Sequence, residues 1–290
     1  MADVRNTPAG SAGSSANRPS TAAKGSTAGK PRGTSGFLLN FIAILACAAV
    51  AYAVFYGVFG SAGNFRDAEK HQPKNFMGNM YLGGTIVPLL ITTFLVLIVF
   101  VIERSLTIFK ARGKVQGGEF VRKVQYHLAN KNVDAALAEC DKQSGSVGNV
   151  MRAGLLKYRD MVNNTELDTD QKVLSIQKEI EEATALELPM LEKNLVFLST
   201  IASCATLLGL LGTVLGMIKS FSAMANAGAP DAATLAAGIS EALYNTALGI
   251  GTSFLAIIAY NFFTTTIDGI TFGIDESGFT LTQSFASNYR

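Results

Sequence analysis

Four long stretches without a charged residue constrain what this 290-residue chain can fold into. They contain 33, 28, 25 and 26 residues and begin after Arg32, Lys74, Lys193 and Glu241. Because about 20 apolar residues suffice for a helix to cross the hydrocarbon core of a membrane, each stretch is long enough to span it. The sequence therefore predicts an all-α membrane protein with four transmembrane helices, at 37–60, 84–108, 195–218 and 235–262. Buried core helices are the alternative, but they are usually much shorter.

The distribution of Lys and Arg predicts the orientation of these spans. The tail before the first span, the segment 109–193 and the C-terminal end carry 19 of these residues, whereas the segment between the first two spans carries three. Basic residues are enriched on the cytoplasmic side of membranes. We therefore expect both termini and the 109–193 segment to be cytoplasmic.

The chain divides into segments of different composition. The Gly-, Ser- and Ala-rich residues 1–36 are predicted to form a disordered cytoplasmic tail. The helix at 37–60 is interpreted as retained, although small residues near 49–53 leave cleavage of a signal sequence as an alternative. Residues 61–83 are expected to be periplasmic, residues 84–108 to form the second span, and residues 194–266 to form a transmembrane hairpin. Residues 267–290 are predicted to be a second cytoplasmic tail.

The segment 109–193 is predicted to be a helical cytoplasmic domain. Asn132 is a candidate N-cap for a helix beginning at Val133, and a second helix is expected over 147–162. A third helical pattern starts at Asp170 and is expected to continue into the third span, with a kink at Pro189.

The composition excludes several classes of function. Three scattered Cys and two His predict neither a disulfide framework nor a metal site, and a net charge of +2 gives no basic field for nucleic acid. The sequence contains no recognisable nucleophile–base set and no phosphate-binding loop. We therefore expect no enzymatic activity, no cofactor and no nucleic-acid partner.

Polar side chains recur along one face of the third span. Ser199, Thr206, Thr213 and Ser220 are spaced seven residues apart, and Ser203 lies on the same face. Such a stripe can line a path for water or protons, or it can serve as packing through hydroxyl bonds to the helix backbone. Beside it, Gly209, Gly212 and Gly216 have the spacing of small residues at which membrane helices pack closely.

The fourth span contains a carboxyl group, Glu241. A helix that begins near Pro230 and Asp231 places Glu241 roughly 15 Å along its axis, inside the bilayer, where a carboxyl is costly and often functional. Asn245 lies one turn further and is a candidate member of the polar stripe, and Thr246 lies on a neighbouring face. Gly238 and Gly249 are expected to permit close helix packing.

At these residues the sequence resembles the MotA/TolQ/ExbB proton channel family. The resemblance lies in the blocks GLLGTVLGMIKSF at 209–221 and GISEALYNTALGI at 238–250, with Glu103-Arg104 at the inner end of the second span. The second block is typical of the ExbB/TolQ branch. The resemblance covers about 84–266, so the chain would be a three-span ExbB/TolQ-like core with one extra N-terminal span. Thr206 stands where the family commonly has Pro.

The resemblance implies a function. Family members form an inner-membrane ring, pentameric where known, around the single-span helices of an ExbD- or TolR-like partner with a membrane Asp. Thr213 and Thr246 match the channel-lining threonines, and Glu241 matches the membrane glutamate. Proton flow would then drive a TonB- or TolA-like periplasmic protein. A flagellar-type stator and a non-conducting membrane scaffold are the alternatives.

Overall fold

A computed structural model describes residues 33–66, 73–115, 117–226 and 232–289. The described chain is helical, and its only extended pairing is an isolated bridge between Phe65 and Pro73. Its α-helices are α1 Gly33–Val54, α2 Phe76–Leu82, α3 Ile86–Arg112, α4 Gly117–Ala129, α5 Val133–Gln143, α6 Ser146–Asn163, α7 Thr169–Glu192, α8 Leu195–Asn226 and α9 Ala232–Asn288. The expected disorder of 1–36 falls almost wholly outside the described residues, as does the proposed first turn at Pro230 and Asp231.

Four helical stretches are long and apolar enough to cross a membrane. They are α1 with the π-helical turn Phe55–Phe59 that follows it, α3, α8 and α9. The predicted all-α membrane fold with four spanning helices is therefore confirmed. By its internal contacts the chain divides into two units, Met1–Asn40 and Phe41–Arg290. The described part of the first unit consists of the first residues of α1. The second unit contains the rest of α1, the other helices and the hydrophobic core.

The expectation that one helix continues from Asp170 into the third span is wrong. Asp168 caps α7 in a capping box, and this helix accommodates Pro189 before it ends at Glu192. The chain then breaks at Asn194, whose backbone is left-handed with a φ of 67°. Asn tolerates this conformation better than most residues do, so the sequence can separate α7 from the apolar helix α8 at this point.

The longest helix, α9, continues through the segment that was expected to be a separate tail at 267–290. It runs for 57 residues, and its last part packs against α4, α6 and α7. Ile274, Leu281 and Phe285 are buried there, and the Phe285 ring meets the Tyr158 ring edge-on at 4.8 Å. This end of α9 is therefore part of the helical domain built by α4–α7. Within that domain Asn132 caps α5 as predicted, since its side chain accepts a bond from the amide of Ala135.

A compact cap connects the first span to the second. The ring of Phe55 stacks on that of Tyr81 at 5.0 Å, and Phe65 meets the same tyrosine edge-on at 5.6 Å. Asn64 donates its amide to the carbonyl oxygen of Val58 over 2.7 Å and accepts a bond from Asn75 over 2.9 Å. These contacts hold α2 against the end of the first span, just before the turn that leads into α3.

Candidate functional site: the hairpin of α8 and α9

Helices α8 and α9 form an antiparallel hairpin whose backbones approach closely along a line of small residues. A Cβ atom at Gly249 would lie 2.5 Å from the carbonyl oxygen of Ala205, and one at Gly216 would lie 3.1 Å from the Cβ of Ala242. Gly209, Gly212 and Gly238 likewise face the opposite helix, against residues 245–249, Asn245 and Ser220 respectively. All five glycines that the sequence singled out therefore lie at contacts within one chain.

The two threonines of the family motif lie one helical turn apart along this hairpin. Thr246 donates its hydroxyl to the carbonyl oxygens of Ala242, at 3.3 Å, and of Gly209 on α8, at 3.4 Å. Thr213 follows Gly209 by one turn and donates to the carbonyl oxygen of Leu210 over 2.6 Å. Both side chains are half-buried, and Thr213 borders an open groove of about 520 Å³. Each hydroxyl oxygen keeps acceptor capacity while its proton is donated to the backbone.

The polar stripe of α8 does not face α9 as a whole. Ser199 and Ser203 are exposed and Thr206 is half-buried, whereas Ser220, at the other end, is buried against Gly238. Much of the stripe therefore lies on an outer surface of the chain, where it is free to meet another molecule or water.

Asn245 does not join the stripe. Its side chain is 1% exposed, lies against Gly212 and donates to the carbonyl oxygen of Gly83 over 3.0 Å. Its own Oδ1 is buried without a hydrogen-bond partner among the described residues. Asn245 thus connects α9 both to α8 and to the turn that precedes α3.

Glu241 lies on the same side of α9 as Asn245, close to the neighbouring residue of that turn, Gly84. Its Oε2 atom is 3.0 Å from the Nζ atom of Lys219 on α8, and its Oε1 atom occupies the space that a Cβ atom at Gly84 would need. The carboxyl is therefore enclosed by α8, α9 and the turn before α3.

Beside the start of α8, Arg104 of α3 is fully buried and lies where three elements meet. Its guanidinium binds both carboxylate oxygens of Glu103, at 2.8 and 2.7 Å, and donates to the carbonyl oxygen of Leu191 over 3.2 Å. Asn194 donates its amide to Glu103 over 3.3 Å. The Glu-Arg pair thereby ties α3 to the junction between α7 and α8.

Sequence reasoning missed Lys219 and the Gly83–Gly84 turn as parts of this site. Lys219 bounds the third uncharged stretch, so in the sequence its charge indicates only the end of a span. The pairing of small residues across the hairpin is the signal that points to Lys219. If Gly216 faces Ala242, the residues that follow Gly216 must lie beside those that precede Ala242. The turn gave no comparable signal, because its contact with α9 joins positions 162 residues apart.

Comparison with known proteins shows what this hairpin is similar to. The model of the MotA/TolQ/ExbB proton channel family matches residues 143–276, which include both motif blocks. The Tol-Pal system protein TolQ of Pseudomonas aeruginosa is 36% identical over 123 residues, covering 42% of this chain and 53% of TolQ. The resemblance to the ExbB/TolQ branch is thereby confirmed.

Two proteins named biopolymer transport protein ExbB are also similar. The one from Helicobacter pylori is 45% identical over 84 residues, covering 29% of this chain and 57% of its own length. The one from Pseudomonas putida is 29% identical over 168 residues, covering 56% of this chain and 50% of its own length. The chain thus spans about half the length of the curated relatives it matches.

Proposed function

We propose that this chain, which resembles the ExbB/TolQ branch of the MotA/TolQ/ExbB proton channel family, is a proton-channel subunit of a bacterial inner membrane. Proton flow past its hairpin would be coupled to mechanical work on a TonB- or TolA-like periplasmic protein, and so to outer-membrane transport or envelope maintenance. Both termini would be cytoplasmic.

The observation that carries this proposal is the placement of the two motif threonines. Thr246 reaches across to α8 at Gly209, one turn from Thr213, so the two hydroxyls follow each other along the hairpin. A hydroxyl can donate and accept at once and can hold a water or pass a proton. A bare aliphatic hairpin would offer neither.

The proposal requires partners. Besides Glu241, the hairpin has no membrane carboxyl among its described residues between Leu195 and Tyr260, and Glu241 is paired with Lys219. The main proton carrier is therefore assigned to an ExbD- or TolR-like single-span protein with a membrane Asp. Copies of this chain would form a ring, pentameric by family resemblance. The side chains of Ser199, Ser203 and Thr206, which are exposed or half-buried in one chain, would be available to the enclosed helices.

The test replaces both motif threonines by valine, which keeps the shape and removes the hydroxyl. We expect Thr213→Val with Thr246→Val to abolish activity that depends on the proton-motive force while the complex still co-purifies with its partner. The matched control is Thr200→Val with Thr266→Val, since these threonines also donate to carbonyls of their own helices but stand outside the motif.

Two results would contradict the proposal. Full activity of the Thr213/Thr246 variant would remove these residues from the proton path. Loss of assembly in that variant, but not in the control, would reduce them to packing residues and favour the non-conducting scaffold. A partner with a MotB-like domain and a rotor would instead favour the flagellar-type stator.

A further inference from the structure

Two opposite charges face each other near the outer end of the hairpin. The Nζ atom of Lys219 lies 3.0 Å from the Oε2 atom of Glu241, although the two residues are 22 positions apart. The side chain of Glu241 is 12% exposed, whereas that of Lys219 is 71% exposed. The lysine therefore reaches in from an open surface to a carboxylate that is largely enclosed.

The other side of the carboxylate is closed by a glycine that no other residue replaces easily. Gly84 has a φ of 75°, which L side chains rarely adopt, and a Cβ atom there would collide with the Oε1 atom of Glu241. Gly83, next to it, accepts the bond from Asn245, one turn along α9 from Glu241. Glu241 and Asn245 together thus hold α9 against this turn.

A carboxylate inside a membrane protein is costly unless a charge or hydrogen bond compensates it. Lys219 is the only cationic side chain paired with Glu241 among the described residues. Without that ammonium, the enclosed carboxylate would lose its compensating charge beside Gly84. The contact that Glu241 makes between α8 and this turn would therefore be weakened.

We infer that Lys219 is the positioning residue for Glu241: it fixes the carboxylate between α8 and the Gly83–Gly84 turn and thereby sets the register of α9. Thr246 lies five residues from Glu241 on the same helix, so this register decides whether its hydroxyl meets Gly209. Glu241 acts as an anchor for the channel helix and does not carry the proton. The functional part of this inference rests on the proposed function.

The test is a double-mutant cycle on the full chain co-expressed with its partner: Lys219→Met, Glu241→Gln, both together, and Lys219→Arg. We expect Lys219→Met to lower the thermal unfolding midpoint. It should also lower the activity that depends on the proton-motive force at least tenfold. The double variant should retain more of each than Lys219→Met alone, because no charge is left unpaired. Lys219→Arg should recover most of the activity.

The matched control is the exposed pair Lys178 and Glu182, whose charged atoms are 3.8 Å apart. Lys178→Met, Glu182→Gln and their combination should leave the thermal unfolding midpoint unchanged and the activity within twofold of the parent, since exposed pairs contribute little.

Unchanged behaviour of Lys219→Met, or additive losses in the double variant, would overturn the inference. An inactive double variant with a restored midpoint would also overturn it, since Glu241 would then be needed for proton transfer itself. The unfolding midpoints can be measured without any activity, so they test the coupling of the pair even if the parent complex conducts no protons. A parent complex that conducts no protons would count against the proposed function alone.

Discussion

Asn245 of α9 donates its buried side-chain amide to the carbonyl oxygen of Gly83, and this 3.0 Å bond joins α9 to the turn that precedes α3. The same side chain fills the space beside Gly212 on α8. One residue therefore contacts both α8 and the turn before α3 from its place on α9, so its replacement should affect the packing of all three.

Replacing Asn245 by alanine should lower the free energy of unfolding by about 1–3 kcal/mol, because a buried hydrogen bond is lost and the Gly83 carbonyl keeps no partner. The control is Asn261→Ala, at an exposed position of the same helix. Thermal unfolding of the two purified variants in detergent measures the difference. Equal midpoints would mean that the Gly83 bond contributes nothing to stability.

Two glycines of α9 should respond in opposite ways to alanine. At Gly249 the new methyl group would meet the carbonyl oxygen of Ala205 at 2.5 Å, so we expect a loss of about 1–3 kcal/mol from overpacking. At Gly251 a Cβ atom would meet no other part of the described chain within 4 Å beyond its own helical turn, and alanine should stabilise the helix by up to about 1 kcal/mol. Unfolding midpoints test this contrast. A loss at Gly251 with dissociation of the oligomer would instead place that residue at a contact between copies.

Arg104 should be irreplaceable where α3 meets the junction of α7 and α8. Arg104→Met leaves the Glu103 carboxylate, whose side chain is 41% exposed, without its bidentate partner and the Leu191 carbonyl without its donor, so we expect a loss of about 1–3 kcal/mol. Arg104→Lys should not restore stability, because a single ammonium cannot reproduce the planar fork that reaches both Glu103 and Leu191. The exposed Arg122 provides the control, and wild-type stability of Arg104→Lys would refute the role of the fork.

The thiol of Cys140, on α5 of the helical domain, should be inert. Burial raises its pKa to about 12, so the thiol stays protonated at neutral pH and the reactive thiolate forms only as the pH rises towards that value. Alkylation by iodoacetamide, followed by mass spectrometry of the Cys140 peptide, should therefore be slow in the folded protein up to about pH 10. It should become fast after denaturation. Rapid labelling of the folded chain at neutral pH would show that α5 opens readily.

The topology can be tested at two exposed positions on opposite sides of the predicted membrane. Gly63, in the cap after the first span, has room for a side chain, and Ser287 lies near the end of α9. An impermeant thiol reagent added to intact cells should label Gly63→Cys and not Ser287→Cys until the membrane is opened. The reverse pattern would invert the orientation derived from Lys and Arg.

The sequence predicted the four spans because uncharged stretches of this length are a direct consequence of the membrane. It also predicted the Asn132 cap, which depends on residues three apart. It did not predict that α9 continues to Asn288, although Ile267, Ile270, Ile274 and Leu281 have helical spacing. It missed the partner of Glu241 and the role of Asn245, because both depend on contacts between residues 22 to 162 positions apart.

Proton flux under an imposed membrane potential, in liposomes that contain this chain with the proposed single-span partner, tests whether the hairpin conducts protons. We expect flux with both chains present, no flux with either alone, and its loss when Thr213 and Thr246 are valine or when the partner's membrane Asp is Asn. Flux that persists through those replacements, or an assembled complex that is active in cells yet conducts no protons, would contradict the proposed proton path.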